Sequence, residues 1–372
     1  MLRLGLVGIG AIANDYIGLI AGGKVQDVEL TALCSRNEAH IREAMQSYGL
    51  QAAAFTNYGA MLASGYVDAV LICTPHAQHP GMTRQALEAG LHVLVEKPVG
   101  IFADEVADIL PMLEERPELV CGVMYNRRAA RAYRYVKELF RGGALGELVR
   151  CSWIITNLYR TQAYYTSGAW RGTWRGEGGG LLMTQASHQL DLMQWICGMP
   201  SSVLARCSTV GRPIRVENEA EFFLTFPNGA HGHFIASAHE CPGTNLLEVC
   251  GTRGRVSVRD DGDVETVLLE EDERTFAKTC PAPFEQVPGT AERLRFDDRD
   301  NTVQQAATIQ NFVSAVYGSE PVQCSLEEGL RSLQIIHGVY LSHWSRSAVQ
   351  LPADEAKFRD GFSNLAENVE QI

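Results

Sequence analysis

Hydrophobic positions in the first third of the chain come in short unbroken runs rather than in alternation. Leu2 to Val7, Val28 to Cys34, Val67 to Cys73, His92 to Val95 and Leu119 to Met124 are apolar on both faces. That is the pattern of strands buried in a parallel sheet with helices on either side. Helical periods lie between them: one starts near Ala11 and stops at Gly22-Gly23, and others fit Glu38 to Ser47, Ala77 to Glu88 and Ala103 to Glu115. Repeated strand, helix, strand units require right-handed crossovers, so the spacing predicts an α/β fold with a doubly wound parallel sheet.

Around residue 123 the pattern changes. A helix is predicted from Arg128 to Phe140, a strand from Glu147 to Thr156, and an irregular aromatic stretch then leads to a Gly-rich helix start at Gly178. Strands follow at Val203 to Val210, Ala220 to Phe226, Ala230 to Ala238, Asn245 to Cys250 and Arg255 to Arg259, separated by Pro-Asn-Gly, Pro-Gly and Gly-Thr-Arg-Gly turn signals. An antiparallel sheet is expected from them. Residues 260 to 302 are charged and weakly periodic, which suggests a peripheral excursion, and helices return at Thr302 to Tyr317 and Leu326 to Arg346. The expected division is a first domain over 1–122 and a second, α+β domain over 123–372.

Composition narrows the function classes. With 46% hydrophobic and 20% charged residues the chain is neither disordered nor fibrous. Lys and Arg number 32 against 44 Asp and Glu, a formal charge of −12 that repels phosphate backbones and anionic lipid. Nucleic-acid and membrane partners are therefore not expected, and no apolar run approaches the roughly 18 residues of a bilayer span. Met1 to Val7 runs straight into a strand with no secretory leader, so the cytoplasm is the default expectation. The ten cysteines are scattered singly, without C-x-x-C spacing, and read as reduced thiols.

The strongest local signal is Gly8-x-Gly10-x-x-Ala13 between a predicted strand and a predicted helix. Gly8 allows the tight turn, Gly10 lets a pyrophosphate approach the backbone, and Ala13 permits close helix packing. The helix N-terminus then stabilises the phosphates. At the end of the second strand, where an acidic residue would hold a ribose 2′-hydroxyl, stand Ser35 and Arg36. A hydroxyl and a cation suit a 2′-phosphate, which favours NADP over NAD. The alternative is that Ser35 or Asn37 caps the next helix and Arg36 is a solvated charge, which leaves NAD open. Further on, His92 to Val95 delivers Glu96-Lys97-Pro98 to the carboxyl edge of the sheet, where ligands of open α/β sheets bind.

Gly8-x-Gly10-x-x-Ala13, Thr74-Pro75 with His79, and Glu96-Lys97-Pro98 together resemble the Gfo/Idh/MocA oxidoreductase family. So do Gly178-Gly179-Gly180 before a helix carrying His188 and Asp191, and Gly251-x-x-Gly254 closing a large sheet. The resemblance spans essentially the whole chain. It implies a Rossmann domain, and a second domain whose large, mostly antiparallel open sheet forms the substrate cleft and the oligomer interface. It also implies hydride transfer between a nicotinamide and a secondary hydroxyl of a sugar, inositol, polyol or glycoside. Around the cofactor it places Gly8, Gly10, Ile12, Ala13, Ser35, Arg36, Thr74, Pro75, His79, Glu96 and Lys97. The stretch from Tyr159-Arg160-Thr161-Gln162 to Trp170-Arg171-Gly172-Thr173-Trp174 looks most like sugar or glycoside dehydrogenases.

Thr184, His188, Asp191 and Trp195 recur at i, i+4, i+7 and i+11 and are expected on one helical face. There His188 would take the substrate hydroxyl proton, with Lys97 stabilising the alkoxide at the same carbinol and Asp191 the imidazolium. The alternative is a core histidine satisfied by a local Asp. Many relatives carry Asp where this chain has Thr184, which cannot ionise, so the relay rests on His188 and Lys97. Tyr159, Arg160, Tyr164 and Arg171 combine rings and donors as sugar recognition requires, alongside Lys97, Thr184 and His188. Trp170 and Trp174 could equally be packing residues. Arg127, Arg128, Arg131 and Arg134 read as a solvated helix face with one member near the cofactor, His231 and His233 as sheet residues, and no metal site is indicated. Five strands leave a broad sheet face, so a homodimer or homotetramer is expected. A redox-neutral, glycoside-processing enzyme and a non-catalytic cofactor-binding sensor remain the alternatives.

Overall fold

The computed structural model describes residues 1–367, so the last five positions of the expected 123–372 domain lie outside the described residues. Six strands, β1 (Leu2–Val7), β2 (Val28–Cys34), β3 (Ala53–Phe55), β4 (Ala69–Ile72), β5 (His92–Val95) and β6 (Cys121–Val123), pair in parallel in the order β3-β2-β1-β4-β5-β6. Every residue of β4 is buried, as a strand covered on both faces must be. The order reverses between β1 and β4, which sets the loops after those two strands side by side at the switch point. The helix expected over Ala103 to Glu115 is two, Ala103–Ala107 and Leu110–Glu115, the second opening with Pro111 in its first turn.

The compact units do not follow a single cut near residue 122. The first comprises Met1–Ala129 together with Asp300–Leu333, and the second Ala130–Arg299 together with the chain from Gln334 onward. The helix Asn301–Val316 explains the return: Ile309, Phe312 and Val313 join Tyr16, Ile17 and Leu94 in one apolar cluster. Its periodicity announces an apolar stripe but does not say which sheet the stripe will cover. Arg128 corrects the expectation of a solvated face. It is fully buried, with Nη1 2.8 Å from the Glu328 carboxylate and 2.9 Å from the Gln323 carbonyl oxygen.

The second unit is built on nine strands: β7 (Leu148–Ile155), β8 (Ser202–Ser208), β9 (Glu219–Thr225), β10 (His231–Ser237), β11 (Asn245–Gly251), β12 (Gly254–Arg259), β13 (Asp263–Leu269), β14 (Gly289–Arg295) and β15 (Val349–Gln350). Their order is β14-β13-β12-β11-β7-β10-β9-β8-β15, with β10 parallel to β7 and every other neighbour antiparallel. The sheet is open, and buried residues alternate with more exposed ones along β8 to β13 because only one face packs on the core. The charged stretch 260 to 302 is thus part of the sheet: it supplies β13, β14 and the intervening helix Glu273–Thr279. Its charges pair across strands, Arg150 and Arg255 flanking Glu248 while Arg255 and Arg293 flank Glu265. That ladder looks aperiodic in sequence because its members pair only between strands. No described helix is long and apolar enough to cross a membrane.

Candidate active site

In the first unit β1 runs into Gly8, whose φ is +89°. A Cβ there would lie 2.8 Å from the Cys73 carbonyl carbon and oxygen, so the turn demands glycine both for conformation and for the approach of the loop after β4. Gly10 precedes the helix Ala11–Ala21 and has no heavy atom within 4 Å of the position its Cβ would take. The helix N-terminus therefore opens onto space of the kind a phosphate needs. Around it lies a cleft of about 560 Å³ lined by Gly8, Gly10, Ser35, Arg36, Thr74 and Pro75. Asn37, His40, Thr56, Tyr58, Gln78, Met82 and Gln85 also line it. Among these, Ser35 and Asn37 serve the backbone as well. Ser35 Oγ accepts from the Asn37 N–H at 3.2 Å, and Asn37 Oδ1 caps the helix Glu38–Tyr48 through the Ala39 N–H. Arg36 is exposed on the cleft wall.

The remaining expected cofactor residues stand outside this lining. Ala13 is fully buried against the core. His79 is buried, with Nδ1 2.8 Å from the Pro98 carbonyl oxygen and Nε2 2.7 Å from that of Thr74, so it ties the loop after β4 to the segment after β5. Burial holds its pKa below the ordinary imidazole value. Glu96 is buried too, accepting the Tyr16 hydroxyl and, at 3.0 Å, the Lys97 N–H. Burial pushes its carboxyl up while the Lys97 charge opposes the shift. Glu96 thereby fixes the backbone of half-buried Lys97 to the helix Ala11–Ala21. Tyr16 gave no signal in the sequence beyond an apolar helix position.

In the second unit Gly178, Gly179 and Gly180 lead into a short helix, Leu181–Thr184, and then into Ser187–Cys197, which carries His188. Gln185 and Ala186 interrupt the two, the Ala186 N–H reaching back to the Leu181 carbonyl at 2.8 Å. Thr184 therefore does not share a helix with His188. Its hydroxyl donates back to the Gly180 carbonyl at 2.8 Å, a bond that competes with helix continuation. Asp191 is fully buried, and its Oδ1 accepts from Gln194 Nε2 at 3.1 Å.

A buried carboxylate holds the Gly-rich turn. Glu217 accepts from the Gly180 N–H at 3.0 Å, the Leu182 N–H at 2.9 Å and the Tyr340 hydroxyl at 2.8 Å. A Cβ on Gly180 would sit 2.0 Å from the Glu217 carbonyl oxygen. Burial nevertheless pushes the Glu217 pKa up to about 7. Lying 37 residues beyond Gly180, Glu217 carries no mark in sequence of its partners. Trp174 is a packing residue, 7% exposed among Tyr340, Trp344 and Phe362, whereas Trp170 is 45% exposed. Tyr159 is exposed, and Tyr164 accepts from Arg171 Nη1 at 2.7 Å and from Gln185 Nε2 at 2.8 Å.

A doubly wound sheet with a glycine turn at its switch point, in a chain that also carries an open, mostly antiparallel sheet, defines a two-part architecture of Rossmann type. The family description "oxidoreductase family, NAD-binding Rossmann fold" matches residues 2–125, and "GFO/IDH/MocA C-terminal domain" matches residues 133–257. The chain belongs to the Gfo/Idh/MocA family of NAD-binding oxidoreductases. It is similar to the myo-inositol 2-dehydrogenase of Thermotoga maritima, 23% identical over 94% of this chain and 98% of that protein. The trans-1,2-dihydrobenzene-1,2-diol dehydrogenase of Mus musculus is 26% identical over 69% and 74%. Among solved structures, the WlbA dehydrogenase from Bordetella pertussis in complex with NADH and UDP-GlcNAcA is 25% identical. It superposes with a TM-score of 0.77 over 95% of this chain and 99% of that one.

Proposed function

We propose that the protein is an NAD(P)-dependent dehydrogenase that oxidises a secondary hydroxyl of a sugar, inositol or glycoside, or reduces the corresponding ketone. The observation that carries this reading is the unobstructed helix N-terminus at Gly10, opening on the cleft at the switch point. Gly8 and Gly10 would cradle a dinucleotide pyrophosphate, Thr74 and Pro75 would flank it, and Ser35 with Arg36 would take a 2′-phosphate. Bound there, the nicotinamide would supply the hydride acceptor or donor. His188 takes the hydroxyl proton as the carbinol hydrogen leaves, and the Lys97 ammonium stabilises the developing alkoxide charge. Glu96 holds the Lys97 backbone and Glu217 the turn before His188, so both act as positioning residues. A relative named myo-inositol 2-dehydrogenase and a neighbour solved with UDP-GlcNAcA support a polyhydroxylated substrate.

The test is a panel of polyols and glycosides with NAD and NADP, read as nicotinamide absorbance, repeated on Lys97→Met and His188→Ala. Each variant should lose two to four orders of magnitude in turnover while keeping cofactor affinity, because neither side chain cradles the pyrophosphate. Turnover within about tenfold of wild type would remove that residue from the chemistry. Substrate loss without net absorbance change would identify the redox-neutral alternative.

A further inference from the structure

Two loops of the second unit, residues 157–177 and 208–216, carry five arginines against one glutamate, in a chain whose formal charge is −12. The loops are joined. The Arg215 N–H donates to the Gly172 carbonyl at 3.1 Å, Trp174 Nε1 to the Arg215 carbonyl at 3.0 Å, and Arg212 Nε and Nη2 to the Arg160 carbonyl at 3.1 and 3.0 Å. Positive charge is thus gathered on one small surface of an otherwise acidic molecule.

Tyr164 is its centre. The Arg171 guanidinium lies 4.3 Å from the Tyr164 ring centroid and 4.3 Å from that of Trp170, and the Arg160 guanidinium 5.2 Å from the Tyr164 ring. Stacking fixes the planes of both cations. Among the described residues Arg160 has no carboxylate partner: its Nη1 donates to the neutral carbonyls of Leu158 and Tyr159. Arg171 meets its one carboxylate, Glu177, at a loose 3.6 Å, while Glu177 Oε2 accepts the Gly172 N–H at 2.6 Å. A guanidinium has five N–H donors, so each retains several. The Tyr164 oxygen already accepts two hydrogen bonds, which leaves its own proton to be given to a third group.

The same cluster reaches the turn before His188. Gln185, three residues before His188, donates from Nε2 to Tyr164, and its Oε1 lies 2.6 Å from Thr184 Oγ1, sharing that hydroxyl proton with the Gly180 carbonyl. We infer that Arg160, Arg171 and Tyr164 bind an anionic substituent, a carboxylate or a phosphate, on the sugar whose hydroxyl is oxidised. An acceptor-only oxyanion suits this arrangement. It meets two fixed guanidinium forks and a phenolic donor, and it neutralises charge that a neutral polyol leaves standing. Gln185 is then the positioning residue that aims the phenol. The inference rests on the dehydrogenase reading above and names the substrate class within it.

The experiment is titration calorimetry of the cofactor-loaded protein with matched pairs, D-glucuronate and D-glucose 6-phosphate against D-glucose, on wild type, Arg160→Ala and Arg171→Lys. At least one anion should bind at least tenfold tighter than glucose, and loss of a charge-assisted contact should weaken it ten- to a hundredfold, well beyond any weakening of glucose. The preference should shrink as salt rises. Arg171→Lys keeps the charge but not the fork, which guards against a merely unfolded variant. Which anion responds separates carboxylate from phosphate. Equal binding of glucose and both anions, or equal weakening of all three by the variants, overturns the inference. Turnover of neutral sugars in that case would leave the dehydrogenase reading intact. Anion preference without turnover of any sugar would uphold the binding site and remove the dehydrogenase reading.

Discussion

Gly8 and Gly10 illustrate how two identical residues can be required for different reasons. Gly8 holds a positive φ and touches the Cys73 backbone, while Gly10 is extended and meets nothing. Gly8→Ala should therefore cost about 1–2 kcal/mol or more in stability. Gly10→Ala should leave the unfolding midpoint within about 0.5 kcal/mol of wild type yet abolish dinucleotide affinity, since the added methyl occupies the phosphate position. Thermal unfolding and cofactor fluorescence titration measure the two separately, and a Gly10→Ala protein with unchanged affinity would contradict the proposed phosphate site. Arg36, exposed on the cleft wall, carries a second expectation. Arg36→Ala should weaken NADP ten- to a hundredfold and spare NAD, and equal weakening of both would end its role as selector.

At the scale of elements, the Gly178 to His188 segment is held by a residue that lies well beyond it along its own unit. Glu217 caps the turn with a carboxylate whose pKa lies near 7 instead of the ordinary 4.5. A folded-state pKa raised above the unfolded one means that the contribution is full below about pH 4.5 and fades as pH rises through 7, when the buried site must carry charge. The shift corresponds to about 3 kcal/mol. Urea unfolding from pH 5 to pH 8 should show wild type losing stability relative to Glu217→Gln over this window. A difference between the two proteins that does not change with pH would show that Glu217 does not titrate there.

For the whole molecule, the outward face of the open sheet carries a row that is apolar where solvent would favour charge. Leu204 pairs with Phe223 and Phe223 with His233 across β8, β9 and β10, and Leu204 and Phe223 are 47% and 60% exposed. An exposed apolar row on a broad sheet is the signature of a partner surface, and we propose a second copy of this chain as the partner. Light scattering should then report a mass above 40.9 kDa, and Phe223→Glu should lower it toward the monomer without altering the fold. A wild-type monomer at micromolar concentration would remove the proposal.

Local physics wrote most of the parallel sheet into the sequence: doubly buried strands, the glycine turn and the cap at Asn37 depend on neighbours within a few positions, whereas the short, partly exposed strand Ala53–Phe55 carried no such run. The proposed catalytic pair, Lys97 and His188, was read from the same kind of local signal, each following a strand or a Gly-rich turn with its own pattern. Long-range pairing was not legible. That the helix Asn301–Val316 covers the parallel sheet, that Arg128 is buried against Glu328, and that 260 to 302 forms sheet strands each depend on a partner many residues away. The same holds for Glu96 with Tyr16, Glu217 with Gly180, and Gln185 with Tyr164. A periodic pattern states that a face will be buried or a polar group satisfied. Only the folded chain decides by what, because hydrogen bonds and apolar contacts are indifferent to sequence separation.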